Sequence, residues 1–287
     1  MSNNDFAVFI LTHGRPDRVI TYKTLKRQGY TGPVYIIIDN EDITADKYIQ
    51  NFGKENVLIF DKKEIAKTFD EMDNFSDRRA IIYARNYCFE AAKKLGYKYF
   101  LQLDDDYHQF IFRINDKGEH PKDFYVIKNT LGKVFEYLLN YYKKINNVTS
   151  IATSQGGDWF GGEREFGKAP KRKAMNTFFC STERPFTFVG RLNEDVNTYT
   201  YVQSQGKVFF TIPFIQMNQL QTQTNKGGMT DIYLNSGTYI KSFYTIICAP
   251  SCTKINLMGR SNRRLHHCIS WENTVPQILQ EKYKKYV

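Results

Sequence analysis

The stretch RRAIIYARNYCFEAAKKLGYKYFLQLDDDY, residues 78–107, decides the fold. Residues about 78–95 place Ala80, Ala84, Ala91 and Ala92 along a helix, and Gly96 supplies the residue that closes it. Tyr99 to Leu103 then reads as a strand that runs straight into Asp104, Asp105 and Asp106. A helix feeding a strand that ends in carboxylates is one repeat of an alternating α/β chain, in which ligands bind at the carboxyl ends of the strands.

Upstream the same pattern repeats. Phe6 to Thr12 (FAVFILT) is an unbroken apolar run, as in a strand buried on both faces, and it ends in His13-Gly14-Arg15-Pro16. Pro16 opens a helix over 17–28, with Val19, Tyr22 and Leu25 on one face and Gly29 after it. Val34 to Ile38 and Val57 to Phe60 are further buried strands, ending at Asp39 and Asp61. The expected fold class is α/β, a Rossmann-type, mostly parallel sheet with helices on both faces. Thr12, His13, Arg15, Asp39 and Asp104 to Asp106 gather at the ligand-binding ends, which makes residues 1–110 a nucleotide-binding half.

Beyond residue 110 the pattern loosens into a mixed α+β half, 111–287, without linker or internal repeat, so one compact domain is expected. Tyr107 to Ile114 reads as strand, Asn115 to Gly118 as turn, 129–145 as helix and 148–153 as strand. A glycine-rich stretch, 156–162, contains Trp159 and leads into Arg164, Lys168, Lys171, Arg172 and Lys173. Gln216 to Gly228 is polar and short of branched apolar residues, which reads as a loop, and 274–285 reads as helix.

Lys and Arg number 40 against 30 Asp and Glu, a formal charge of +10, and the pI is about 9.2. Such a surface attracts polyanions. With 41% hydrophobic and 15% aromatic residues a disordered chain is excluded. Five scattered cysteines without CxxC spacing suit reduced thiols. Neither a signal peptide nor a membrane-spanning run is present, so a soluble, cytoplasmic protein (host cytoplasm if phage-encoded) without a membrane span is expected.

Three consecutive carboxylates after a buried strand repel one another. A solvated turn or a helix cap would tolerate them, but the following YHQFIF looks like strand and leaves no helix to cap. A hard divalent cation removes the repulsion. Strand alternation turns Asp104 and Asp106 to one face and Asp105 to the other, where a metal on the first two bridges a diphosphate leaving group. Arg85, flanked by apolar residues in its helix, needs an anionic partner: a phosphate, an active-site Asp or a structural ion pair. Clustered Asp also suits a two-metal nuclease or nucleotidyltransferase, which has no need of the buried Ala-Arg-Asn helix.

Residues 78–107 resemble the helix and DxD segment of GT-A nucleotide-sugar glycosyltransferases. VFILTHGRPDR (8–18) is similar to that family's first strand and donor turn, and VYIIIDNED (34–42) to its second strand. The resemblance implies a UDP-sugar donor bound by Thr12, His13, Arg15, Asp39, Arg79, Arg85, Asp104 and Asp105. It implies Mn²⁺ or Mg²⁺ on Asp104 and Asp106, with a late histidine, His266 or His267. The pair Glu194-Asp195 matches the family's acidic pair that deprotonates the acceptor; an ordinary helix start carrying acids is the alternative.

A narrower resemblance lies in the order DDDY (104–107), FVGRLNEDVNTY (188–199) and RRLHHCISWENTVP (263–276), which is similar to the TET/JBP-associated glycosyltransferases of phages. That implies double-stranded DNA with hydroxymethylated bases as acceptor, with the target base flipped out; the basic Arg164, Lys171, Arg172 and Lys173 and the aromatic Trp159 fit such a polymer, and Arg263 and Arg264 suit the diphosphate or an anionic acceptor. A saccharide, lipid or protein acceptor is the alternative within the same fold.

Overall fold

Six residues without a polar side chain, Phe6–Leu11, form β1, and each of them is buried. β1 lies between β2 (Val34–Asp39) and β4 (Tyr99–Asp104) and pairs in parallel with both. β3 (Val57–Phe60) adds a further parallel strand beyond β2. The computed structural model describes residues 5–113, 124–155, 176–220, 240–258 and 264–274.

The connections between these strands are helical. A 3-10 turn at Pro16–Arg18 precedes α1 (Ile20–Arg27), and α2 (Ala45–Phe52) joins β2 to β3. Next come α3 (Lys62–Ala66) and α4 (Ile82–Lys94), which feeds β4. Asp61 caps α3 by accepting from the main-chain N–H groups of Lys63 and Glu64. Neither α2 nor α3 is foreseen by the sequence reading.

After β4 come β5 (Tyr107–Phe112), β6 (Tyr125–Val126), α5 (Leu131–Lys144), β7 (Val148–Gln155), β8 (Phe178–Ser181), α6 (Glu194–Ser204) and β9 (Val208–Gln219). Then follow α7 (Ile240–Cys248), a ribbon of β10 (Thr253–Met258) and β11 (Arg264–Ile269), and α8 (Trp271–Thr274). Among the described residues one sheet runs β3-β2-β1-β4-β8-β7-β9-β5-β6. Its first four strands are parallel; the rest mix antiparallel pairs with the parallel pair β7–β9. The sheet is thus parallel in the first half and mixed in the second, as expected, and β4 bonds directly to β8.

Alternation along the strands builds two cores. Val8, Ile10, Ile36, Leu103, Phe135 and Leu139 pack on one face, toward α1, α2 and α5. Phe9, Leu11, Phe100, Tyr83, Phe178 and Tyr199 pack on the other, toward α4 and α6. Helices therefore cover both faces. No helix among the described residues is long and apolar enough to cross a membrane, and all five cysteines are free thiols.

Three boundaries differ from expectation. The helix expected from residue 78 begins at Ile82, because Asp77 accepts the Arg79 N–H and its guanidinium and holds a local turn instead. The helix expected over 17–28 is divided into the 3-10 turn and α1. Gln216 to Gln219, expected in a loop, are the last residues of β9, held by pairing with β5 and β7. Of the expected loop 216–228, residues 221–228 lie outside the described residues, as do 275–285 of the expected terminal helix.

Gln28, 2% exposed, fastens α1 to β5. Its Nε2 donates to the carbonyls of Phe110 at 2.8 Å and Ile127 at 2.6 Å, and its Oε1 accepts the Phe110 N–H at 2.7 Å. Replacing Gln28 by Leu strands these buried main-chain groups and should lower unfolding free energy by about 2–4 kcal/mol. Urea denaturation measures this. A loss below about 1 kcal/mol would mean that the stranded groups find other partners.

Candidate active site

β1 and β4 end side by side, with Leu11 opposite Asp104 in register, so Thr12 arrives next to the three carboxylates. Its hydroxyl donates to Asp105 Oδ2 at 2.6 Å and shares a hydrogen bond with Tyr48 at 2.9 Å. Arg15 Nη1 lies 3.5 Å from Asp105 Oδ1. The turn itself is pinned from α1, where Thr21 donates to the Asp104 carbonyl at 2.6 Å and accepts the Tyr107 N–H at 2.9 Å.

Asp104 points the other way. Arg85 Nη2 contacts its Oδ1 at 2.9 Å, and Arg85 Nε contacts Glu194 Oε1 at the same distance. Arg85 is 1% exposed, with its guanidinium over the rings of Phe178 and Phe188 at 5.3 and 5.7 Å. Those faces solvate the charge that no water reaches. Asn86, next on α4, exchanges hydrogen bonds with Phe188, donating to its carbonyl at 3.1 Å and accepting its N–H at 2.9 Å. One helical turn thus positions both the β4 carboxylate and the segment that delivers Glu194.

That segment is tightly held. Gly190 adopts φ +76, and a Cβ there would lie 2.4 Å from Asn197 Nδ2, so only glycine fits. Asn197 donates to the Leu192 carbonyl at 2.8 Å and accepts from Thr245 at 2.9 Å. Arg191 Nε contacts Asp73 Oδ2 at 2.7 Å, and the Tyr244 hydroxyl donates to the same oxygen. Glu194 and Asp195 open α6. Asp195 is 7% exposed, lies in the repulsive field of Asp104 and Glu194, and accepts no hydrogen bond from the described residues.

The electrostatics follow from one shared cation. Burial works against the charge of Arg85, but Asp104 and Glu194 outweigh it and raise its pKa. The carboxyls are under-compensated by comparison. Burial raises Asp104 despite Arg85, and burial raises Asp105 despite Arg15 and Thr12. Asp106 is pushed up to about 7 by burial, Asp104 and Asp105. Burial, with repulsion from Asp195 and against the pull of Arg85, pushes Glu194 up to about 7.

At the end of β2, Asp39 Oδ2 takes His13 Nδ1 at 2.9 Å and Lys62 Nζ at 3.1 Å. Burial opposes the Asp39 charge, but His13 and Lys62 outweigh it and lower the pKa. Lys62, 4% exposed, is a site residue the sequence reading misses; the signal available is that a buried Asp39 requires a cation. Gly14 donates to Asp42 Oδ2 at 2.7 Å, which fastens the His13 turn to the loop after β2.

Other expected residues are not gathered here. Arg79 lies outside α4, half exposed, and pairs with Asp77. His266 and His267 sit on β11 with ring centroids 4.2 Å apart. No group of three His, Cys, Asp or Glu among the described residues forms a ready metal cage. Trp159, Arg164, Lys171, Arg172, Lys173 and Arg263 lie outside the described residues; of Arg264 only the backbone, at the start of β11, is described.

The donor set nonetheless fits a hard divalent cation. Asp104 and Asp106 are carboxylates whose ionisation is opposed by burial and by neighbouring acids, Asp105 and Asp195 for the first and Asp104 and Asp105 for the second. Mg²⁺-type sites use one or two carboxylates, with phosphate oxygens and water completing the shell, rather than an all-protein cage.

The family described as TET-Associated Glycosyltransferase matches residues 6–228, most of the chain. No curated protein sequence matches significantly. Among solved structures, glucosyl-3-phosphoglycerate synthase from Mycobacterium tuberculosis in complex with Mg²⁺ and UDP is 7% identical, with 93% of this chain and 88% of that chain covered and a TM-score of 0.47. The same enzyme with Mn²⁺, UDP-glucose and glycerol 3-phosphate is 6% identical, at 92% and 87% coverage and a TM-score of 0.48. Likeness at that level decides neither donor nor acceptor.

The raised carboxyls carry a pH signature. Glu194 ordinarily titrates near 4.5, and in the folded protein it and Asp106 reach about 7. Such groups take up protons on folding, so their contribution is most favourable below the ordinary value and is lost as pH rises to about 7. The metal-free protein should melt at a higher temperature at pH 5 than at pH 8. The double variant Asp106→Asn, Glu194→Gln should flatten that slope in a thermal melt series; an unchanged slope would contradict the assignment.

Proposed function

The chain belongs to the TET-associated glycosyltransferases, and from that premise we propose that it moves a sugar from a UDP-sugar, with a divalent cation, to the hydroxyl of a 5-hydroxymethylpyrimidine in double-stranded DNA. The observation that supports this most is the buried network in which Arg85 joins the end of β4 to the start of α6. That network brings Asp104, Glu194 and Asp195 together, which supports reading them as a cation site with a base beside it.

Asp104 and Asp106 would hold Mn²⁺ or Mg²⁺, which would neutralise charge on the departing diphosphate. Thr12, Arg15 and Asp105 form the wall next to it, and His13, Asp39 and Lys62 line the end of β2, where the nucleoside sits in a sheet of this kind. The choice of uridine rests on the resemblance to GT-A enzymes.

The two acids of α6 have different work. Glu194 is tied to Arg85 and serves as a positioning residue. Asp195, buried and without a hydrogen-bond donor among the described residues, is the carboxylate available to take the proton of the acceptor hydroxyl, which is a poor nucleophile at its free pKa. The +10 charge favours a polyanionic acceptor.

Transfer of radiolabelled sugar from UDP-sugars to duplexes with and without 5-hydroxymethylpyrimidines, over a salt series, is the test. Modified DNA should be labelled, with affinity falling steeply as salt rises. Asp195→Asn should lower turnover about 10²–10⁴-fold with UDP affinity kept. Labelling of a free sugar or lipid and of no hydroxymethylated DNA would overturn the acceptor; a near-normal rate for Asp195→Asn would overturn the base.

A further inference from the structure

Along β5 and β9 one face of the sheet changes character. Phe110, Ile215 and Met217 face the core under α5. The alternate residues, Gln109, Ile111, Gln216 and Asn218, lie on the opposite face in the register Gln109↔Asn218 and Ile111↔Gln216. Ser154 of β7 pairs with Gln216 and shares its face with Ala152, so this is the face that α4 and α6 cover farther along the sheet. Under those helices it is lined by Phe178, Phe188 and Phe209. Here it carries carboxamides, which are costly to half-bury unless each finds a partner.

Their hydrogen bonds run in one direction. Arg113 Nε donates to Gln216 Oε1 at 3.0 Å, Gln216 Nε2 donates to Asn218 Oδ1, and Asn218 Nδ2 reaches Gln109 Oε1 at 3.5 Å. Arginine has no acceptor, so it sets which end of Gln216 is oxygen, and each amide then sets the next. Gln216 is 3% exposed, whereas Gln109 and Asn218 are half-buried. The row is therefore tight at Arg113 and loose at Gln109.

The loose end is the one near the reaction. Gln219 pairs with Tyr107, and the Leu220 N–H donates to the Asp106 carbonyl at 3.2 Å. Gln109 stands three residues past Asp106, about 10 Å away at about 3.3 Å per residue. A sugar and a pyrimidine ring can lie between them.

We infer that Gln109 and Asn218 form the subsite that reads the acceptor base, pairing with the amide-like edge of a pyrimidine. Arg113 and Gln216 are positioning residues for that pair. The inference rests on the DNA acceptor proposed above and adds to it the side chains that recognise the base. A carboxamide presents one acceptor beside one donor, which matches the N4–H and N3 of cytosine or the N3–H and O4 of uracil. The 3.5 Å contact between Asn218 and Gln109 is weak and can be exchanged for bonds to a ligand at little cost.

Steady-state transfer to duplexes carrying 5-hydroxymethylcytosine or 5-hydroxymethyluracil at one position tests this, with calorimetric UDP affinity measured alongside. Gln109→Ala and Asn218→Ala should each lower kcat/KM for modified DNA roughly 10–100-fold, with UDP affinity unchanged. Arg113→Met, which frees the sense of the row, should bring the preference between the two bases toward unity, a readout that a merely structural role would not move. If wild-type protein labels the DNA while all three variants keep its kcat/KM and base preference within about twofold, this inference fails and the DNA acceptor stands. If wild-type protein labels neither duplex, the acceptor assignment fails and takes this subsite with it.

Discussion

One buried guanidinium organises this molecule. Arg85 lies in the apolar interface between α4 and the sheet, and its two ion pairs tie β4 to α6, the one to Glu194 reaching across 109 residues of sequence. Breaking a buried pair costs about 3–5 kcal/mol, because the partners are left charged and dry. The site depends on that bond twice over. Through Asp104 it sets the carboxylate turn, and through Glu194 it sets the N-terminus of α6 and so the place of Asp195.

The network is also deliberately short of positive charge. Arg85, Arg15 and Arg18 act on Asp104, Asp105, Asp106 and Glu194, and burial still raises all four carboxyls. A fold concerned only with stability would replace such a cluster by apolar side chains. Retaining it leaves a site whose missing charge a cation would supply; on the proposed function, that cation and the nucleotide-sugar would favour each other's binding.

The parts legible in the sequence are those encoded locally. β1, β2 and β4 announce themselves as apolar runs, and their ends mark the site because a parallel sheet places every such end on one edge. Arg85 is legible because an arginine within an apolar helix needs an anion, and the strand that follows its helix ends in acids. What escapes is set by distant partners. Lys62 is explained by Asp39 and Glu41, Gln28 by the carbonyls of β5 and residue 127, and the strand character of Gln216 to Gln219 by β5 and β7. α2 and α3 are too short for their periodicity to stand out.

The central claim is that a cation completes an under-compensated carboxylate cluster, and proton release measures it directly. At pH 6.5, carboxyls that titrate near 7 hold a large share of their protons, and a bound cation must displace them. Calorimetric titration of Mn²⁺ into the protein with UDP, in two buffers of different ionisation enthalpy, should show release of on the order of one proton per site. That release should shrink at pH 8 and in the Asp106→Asn variant. Mn²⁺ binding with heats independent of buffer at pH 6.5, or no Mn²⁺ binding at all, would contradict the account.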